Sequence, residues 1–162
     1  MLAPVLLGQQ LSLRYYTRQC RAWDEAAPGV WIGRVLTDAE AAEAVTAGVT
    51  AVLDLTAEFP EAGPFLKVRY RNLPILDLTA PTQQQLTEAV EFITDEASCG
   101  VVYVHCKIGY SRSAAVVAGY LLASGQAATP DAALAHLRLV RPAIVVRPEA
   151  LRAVEAFAAS RR

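Results

Sequence analysis

Residues 101–113 read Val101-Val102-Tyr103-Val104-His105-Cys106-Lys107-Ile108-Gly109-Tyr110-Ser111-Arg112-Ser113. The architecture of the chain turns on them. Val101 to Val104 is a continuous apolar run of β-branched and aromatic residues, as expected of a strand buried on both faces at the centre of a sheet. Ala114 to Ala123, interrupted only by Gly119, is too short to span a bilayer, which takes roughly 20 apolar residues, and reads as a buried helix. Between strand and helix lies a loop at the position where α/β sheets place their ligands.

The flanking segments extend the pattern. Val30-Trp31-Ile32 begins a strand, and Thr37 can cap a helix that runs to about Ala47 and is stopped by Gly48. Ala51-Val52-Leu53-Asp54-Leu55 and Val68 to Leu73 are further short strands. Leu86, Ala89, Val90 and Ile93 recur at helical spacing between Thr82 and Glu96. Thr129-Pro130 supplies an N-cap and first-turn proline for a helix ending near Arg141-Pro142, and Pro148 opens a last helix. The expectation is an α/β single domain with a mostly parallel central sheet flanked by helices.

Composition agrees. The chain has 162 residues, 54% hydrophobic and 19% charged, which suits one globular domain with a sizeable core. A formal net charge of −1 provides no global field for nucleic acid, so nucleic-acid partners are not expected. Three cysteines, Cys20, Cys99 and Cys106, make neither a disulfide framework nor a metal-ligand spacing, which points to a reducing, cytoplasmic compartment. The one boundary falls near Ala27-Pro28-Gly29. Residues 1–27 read as an N-terminal arm, helical or membrane-proximal, because an apolar start is followed by Arg14, Arg18 and Arg21 among Tyr15, Tyr16 and Trp23. Residues 28–162 read as the one folded domain.

The chemistry concentrates in the loop after the central strand. Backbone N–H groups wrapped at a helix N-terminus form an anion cradle, here built from Lys107, Ile108, Gly109, Tyr110 and Ser111 and closed by Arg112. The field that binds a phosphate dianion also stabilises a thiolate, so Cys106 is expected to ionise at a pKa of about 3.5–7.5. The planar Arg112 fork suits phosphoryl oxygens. Gly109 permits the tight curvature. A thiolate that displaced an ester oxygen would need a proton donor for it. Asp77, in Pro74-Ile75-Leu76-Asp77-Leu78-Thr79, is the leading acid; Asp54 is its rival. His136 reads as structural and Cys99 as an unreactive thiol. Neither a metal nor an organic cofactor is indicated, because backbone N–H groups and Arg112 meet the phosphate charge.

Cys-x5-Arg-Ser in this setting resembles the protein tyrosine phosphatase superfamily, and His105-Cys106 through Ser113 is similar to its dual-specificity branch. Pro28 to Gly33, Val52-Leu53-Asp54-Leu55, the Asp77 loop and Arg141-Pro142 recur in the family's order, with Asp54 where the family often has Asn. The resemblance implies the family's fold and a phosphocysteine intermediate on Cys106. It further implies that Arg112 clamps phosphate, Asp77 is the acid, Ser113 hydrogen-bonds the sulfur, and His105 buttresses the loop through a backbone contact.

The substrate signals diverge. Lys107 directly after the cysteine resembles lipid-directed members, which act on phosphoinositides or phosphatidylglycerophosphate, whereas Gly109-Tyr110-Ser111 looks more like phosphoprotein-directed enzymes. Phosphotyrosine and phosphothreonine proteins stand first as expected substrates, phospholipids second, and a non-catalytic phosphate-binding module third. Sulfur transfer on a rhodanese-like loop is opposed by the Asp77 loop. Contact with a membrane would come through the N-terminal arm.

Overall fold

The structure is a computed structural model and describes residues 21–161. A five-stranded mixed sheet has the order β1-β2-β5-β3-β4, with β1 Trp23–Ala27, β2 Val30–Arg34, β3 Val49–Asp54, β4 Arg69–Asn72 and β5 Val101–Cys106. β5 lies parallel between β2 and β3, and β3 lies parallel to β4. Only β1 runs antiparallel, against β2. The helices are α1 Asp38–Thr46, α2 Gln83–Ala97, α3 Arg112–Ala123, α4 Pro130–Val140 and α5 Pro148–Ser160, with a 3-10 turn over Phe65–Lys67.

The helices start where their caps dictate. Thr37 and Thr82 each accept from the backbone N–H three residues on, while the Glu40 and Gln85 side chains return to the cap backbone. These are complete capping boxes, which satisfy N–H groups that a helix leaves orphaned. Thr129 caps α4 in the same sense, with Pro130 in its first turn.

Side-chain alternation along β5 assigns its residues to two cores. Val102, Val104 and Cys106 join the larger core beneath α2 to α5, with Leu86, Ile93, Val116 and Phe157. Tyr103 belongs to the smaller core with Val52, Phe65 and Ala41 of α1. His105 follows Tyr103 to that face, its ring stacked 5.4 Å away. α3 is buried over its first ten residues, as its apolar sequence requires.

The expected helical arm is corrected at its end. Trp23–Ala27 is an edge strand, and Ala27-Pro28-Gly29 is the hairpin turn, with Gly29 at φ +73°. Trp-Asp-Glu-Ala-Ala has weak strand propensity, but pairing with β2 and the burial of Asp24 against Arg141 override it. Residues 1–20 of the expected arm, including Cys20, lie outside the described residues. No helix among the described residues is long and apolar enough to cross a membrane.

Candidate active site

β5 ends at Cys106 and α3 begins at Arg112, so the intervening loop sits at the carboxyl edge of the sheet. Gly109 occupies φ +77°, and a Cβ there would stand 2.5 Å from the Gly33 carbonyl oxygen. Any larger residue would push the loop off β2. Arg141 holds the loop from outside: its Nε donates to the Gly109 carbonyl at 3.1 Å and its Nη2 to the Ile108 carbonyl at 3.2 Å. With those carbonyls drawn outward, the Gly109 N–H on the other side of the Ile108 peptide turns to the Cys106 sulfur.

Cys106 is 3% exposed, and its Sγ lies 3.4 Å from the Ser113 hydroxyl. Burial alone would push the thiol up. The Arg112 guanidinium, the Ser113 hydroxyl and the backbone N–H groups of Ser113 and Gly109 outweigh it, so the thiol is held below the ordinary cysteine value.

Arg112 is fixed by three partners. Nη1 and Nη2 donate to Glu58 at 3.1 and 2.8 Å, Nη1 donates to the Ile75 carbonyl at 2.9 Å, and Asp77 Oδ1 stands 3.2 Å from Nη2. Burial tends to raise the Glu58 carboxyl, but the bond from Arg112 and the Ala57 backbone hold it below the usual carboxylate value. Glu58 therefore remains an anion that orients the fork.

Asp77 is half-exposed and lines the same pocket as Cys106 and Arg112. The next residue, Leu78, sits at φ +64°, in the left-handed region that side chains rarely adopt. The rival acid Asp54 is 1% exposed, and its carboxylate accepts from the Thr56 N–H and hydroxyl, the Tyr70 hydroxyl and the Asn72 amide. Saturated in this way and absent from the pocket lining, it is not placed to protonate a leaving group.

His105 behaves differently from the backbone contact that the resemblance implies. Its Nε2 lies 2.7 Å from Glu61 Oε2, and its buried Nδ1 has no partner among the described residues. The alternation of β5 turns the ring away from the loop and towards the β3–β4 connection. Burial disfavours the imidazolium, yet Glu61, Asp54 and the Cys106 thiolate outweigh it and raise the ring above the ordinary histidine value. Asp54, Glu61 and His105 bring possible metal-ligand atoms together, but hydrogen-bond donors already occupy the carboxylates. The cluster reads as a hydrogen-bonded support for the strand end.

The pocket, about 300 Å³, is lined by Asp77, Leu78, Thr79, Cys106, Lys107, Ile108, Tyr110, Ser111, Arg112, Val145 and Arg147. The expected nucleophile, clamp, acid and most of the loop thus converge. Ser113 reaches the sulfur from beneath. Glu58, Glu61, Asp24 and Arg147 were not legible as site residues. One signal could have found the two glutamates: they follow the carboxyl end of β3, which pairs directly with β5, and that edge of the sheet carries the ligand. His136 and Cys99 are accounted for by structural contacts, with His136 Nε2 2.7 Å from the Ala26 carbonyl and Cys99 Sγ 3.3 Å from the Asp95 carbonyl.

Comparison with known proteins places this arrangement. The chain is 31% identical over 143 residues to the phosphatidylglycerophosphate phosphatase PTPMT1 of Arabidopsis thaliana, covering 83% of this chain and 42% of that protein. It is 36% identical over 122 residues to dual specificity protein phosphatase 12 of Mus musculus, covering 73% and 36%. It thus spans less than half the length of either relative. A crystal structure of PTPMT1 in complex with PI(5)P superposes with a TM-score of 0.77 at 25% identity, covering 86% of this chain and 96% of that one. Residues 30–159 match the catalytic domain of the dual specificity phosphatases, and the chain belongs to that family.

Proposed function

We propose that the chain hydrolyses phosphate monoesters through a phosphocysteine intermediate. The observation that carries this is the convergence of the Cys106 thiolate, the Glu58-oriented Arg112 fork and the Asp77 carboxyl in one pocket. Cys106 Sγ attacks phosphorus, the ester P–O bond breaks, and Asp77 gives its proton to the departing oxygen. Arg112 and the loop N–H groups hold the phosphoryl oxygens as charge shifts onto them. Water then attacks the phosphocysteine with Asp77 taking its proton, the P–S bond breaks, and the Ser113 hydroxyl stabilises the returning thiolate.

On the rim of the pocket we place the phospholipid reading first. Leu78 and Val145 line the opening and, with Leu76 beside Asp77, are 65%, 59% and 67% exposed. Exposed apolar side chains around a charged cleft suit a phosphate borne on a lipid at a membrane surface. Lys107 and Arg147 supply cations for its headgroup. The relative named as a phosphatidylglycerophosphate phosphatase and the PTPMT1 complex with PI(5)P support a phospholipid substrate. The phosphoprotein reading stands second, supported by Gly109-Tyr110-Ser111 and the relative named as a dual specificity protein phosphatase.

Phosphate release measured in parallel on a phosphopeptide panel and on phosphatidylglycerophosphate and phosphoinositides in mixed micelles tests both levels. The lipid panel should give the higher kcat/KM by about tenfold or more. The opposite ranking restores the phosphoprotein reading, and an absence of turnover on either panel and on aryl phosphates refutes phosphatase chemistry.

A further inference from the structure

Buried cations in proteins are ordinarily paired, because an isolated charge is costly to remove from water. Arg34, Arg112 and Arg141 obey this rule, each 5% exposed or less and each paired with a carboxylate. Lys107 does not. It is 9% exposed, and among the described residues no carboxylate lies within 4.0 Å of its ammonium. Its near contact is the face of Phe59, with Nζ 5.6 Å from the ring centroid, a weaker partner than an anion. Arg147, exposed on the segment before α5, also has no carboxylate partner among the described residues, and water meets its charge. Both line the pocket that holds Cys106 and Arg112.

A monoester dianion is already met by Arg112 and the loop N–H groups. Two further cations are thus left facing the same space, with exposed Leu78 and Val145 beyond them. An anion that fits must be reachable from the monoester within about 300 Å³, the small end of ligand pockets, and must continue outward into an apolar substituent. A carboxylate or second monoester ends in oxygen; a phosphodiester has two arms.

We infer that Lys107 and Arg147 form a second anion subsite, which takes a phosphodiester group carried a few bonds from the phosphate monoester that Cys106 attacks. The inference rests on the phospholipid reading and names what that substrate carries beside its scissile phosphate. Arg147 contributes a planar fork to the diester oxygens, and Lys107 contributes a point charge held in place by Phe59.

The test is equilibrium binding by calorimetry to the full chain carrying Cys106→Ser, so that no ligand is consumed. The probes are glycerol 3-phosphate and the deacylated headgroup in which glycerol links a phosphomonoester to a phosphodiester. The two-anion probe should bind at least about tenfold more tightly, the scale expected of a charge-assisted bidentate contact. Arg147→Gln should erase most of that preference, Arg147→Lys should restore part of it, and added salt should weaken it. Equal affinity for the two probes, or a preference that survives both Arg147→Gln and Lys107→Gln, overturns the subsite. Absence of aryl phosphate turnover in the wild-type chain would instead refute the phosphatase reading, and the binding comparison would still decide the subsite.

Discussion

Asp24 in the first strand and Arg141 at the end of α4 form a buried ion pair, Oδ2 to Nη1 at 2.8 Å, across 117 residues of chain. The same guanidinium reaches the Ile108 and Gly109 carbonyls, so an edge strand outside the pocket sets the posture of the phosphate loop. Asp24→Ala leaves Arg141 buried without its counterion and should cost about 3–5 kcal/mol in urea unfolding. Asp24→Asn keeps the shape and a hydrogen bond, so it should fold while binding vanadate several-fold more weakly. Wild-type stability in the alanine variant together with unchanged vanadate affinity in the asparagine variant would remove Asp24 from any role at the loop.

Cys106→Ser should abolish turnover and retain binding of vanadate or phosphate, because the cradle survives while the nucleophile does not. In the wild type, thiolate formation followed by absorbance or iodoacetate alkylation should have its midpoint below the ordinary cysteine value. Arg112→Ala should move that midpoint upward, and Arg112→Lys should remain severely impaired for want of the fork. A midpoint insensitive to Arg112 would contradict the electrostatic account of the thiol.

Asp77→Asn should lower kcat about a hundredfold on alkyl phosphates and much less on nitrophenyl phosphate, since a stable leaving anion needs little protonation. The basic limb of the pH profile should disappear with it. Equal losses across leaving groups would assign the proton to another donor.

Arg34 donates to Glu40 at 2.8 and 3.1 Å, and mainly through this bond the Glu40 carboxyl is lowered to about 2. A depressed carboxyl stabilises the fold above its unfolded value near 4.5, and the contribution is lost as pH falls towards 2. Glu40→Gln removes the counterion of the buried Arg34 and should therefore cost about 3 kcal/mol near neutrality, the low end for a broken buried pair because Glu40 is itself part-exposed. The gap from wild type should narrow between pH 4.5 and 2. A gap constant with pH would show that charge plays no part in it.

Membrane contact through the N-terminal arm requires a shorter deletion than the sequence suggests, because removing residues 1–27 would also remove β1. Deleting residues 1–20 should preserve aryl phosphate turnover and weaken binding to vesicles containing anionic lipid. The effect should fade with salt, since Arg14 and Arg18 would each contribute about 1 kcal/mol at such a surface. Vesicle binding that is unchanged at low salt would dismiss the arm as an anchor.

Much of this was readable in advance because it is local. A cap such as Thr37, the apolar run of Val101 to Val104 and the Cys106-to-Arg112 spacing each carry their meaning within a few residues. β1 was misread because its strand character comes from β2 and from Arg141, both distant in sequence. Glu58 and Glu61 lie in Ala57-Glu58-Phe59-Pro60-Glu61, which reads as a turn with solvated charges until the pairing of β3 with β5 brings it against Arg112 and His105. Arg147 was visible only as the residue before a helix-opening proline. Its facing of Lys107 across one pocket is a tertiary fact.

The distant residues that hold the Cys106 loop and Arg112 in place have a consequence for the chain during its synthesis. Cys106 leaves the ribosome 35 residues before Arg141, and the glutamate that orients Arg112 comes from a loop that takes its place only when β3 and β5 pair. Until those long-range contacts close, a step slower than local helix formation, Cys106 is an ordinary thiol, protonated at neutral pH and poorly nucleophilic. The thiolate's reactivity is thereby withheld from the nascent chain, and the rate at which a thiol reagent captures Cys106 becomes a clock for the completion of folding.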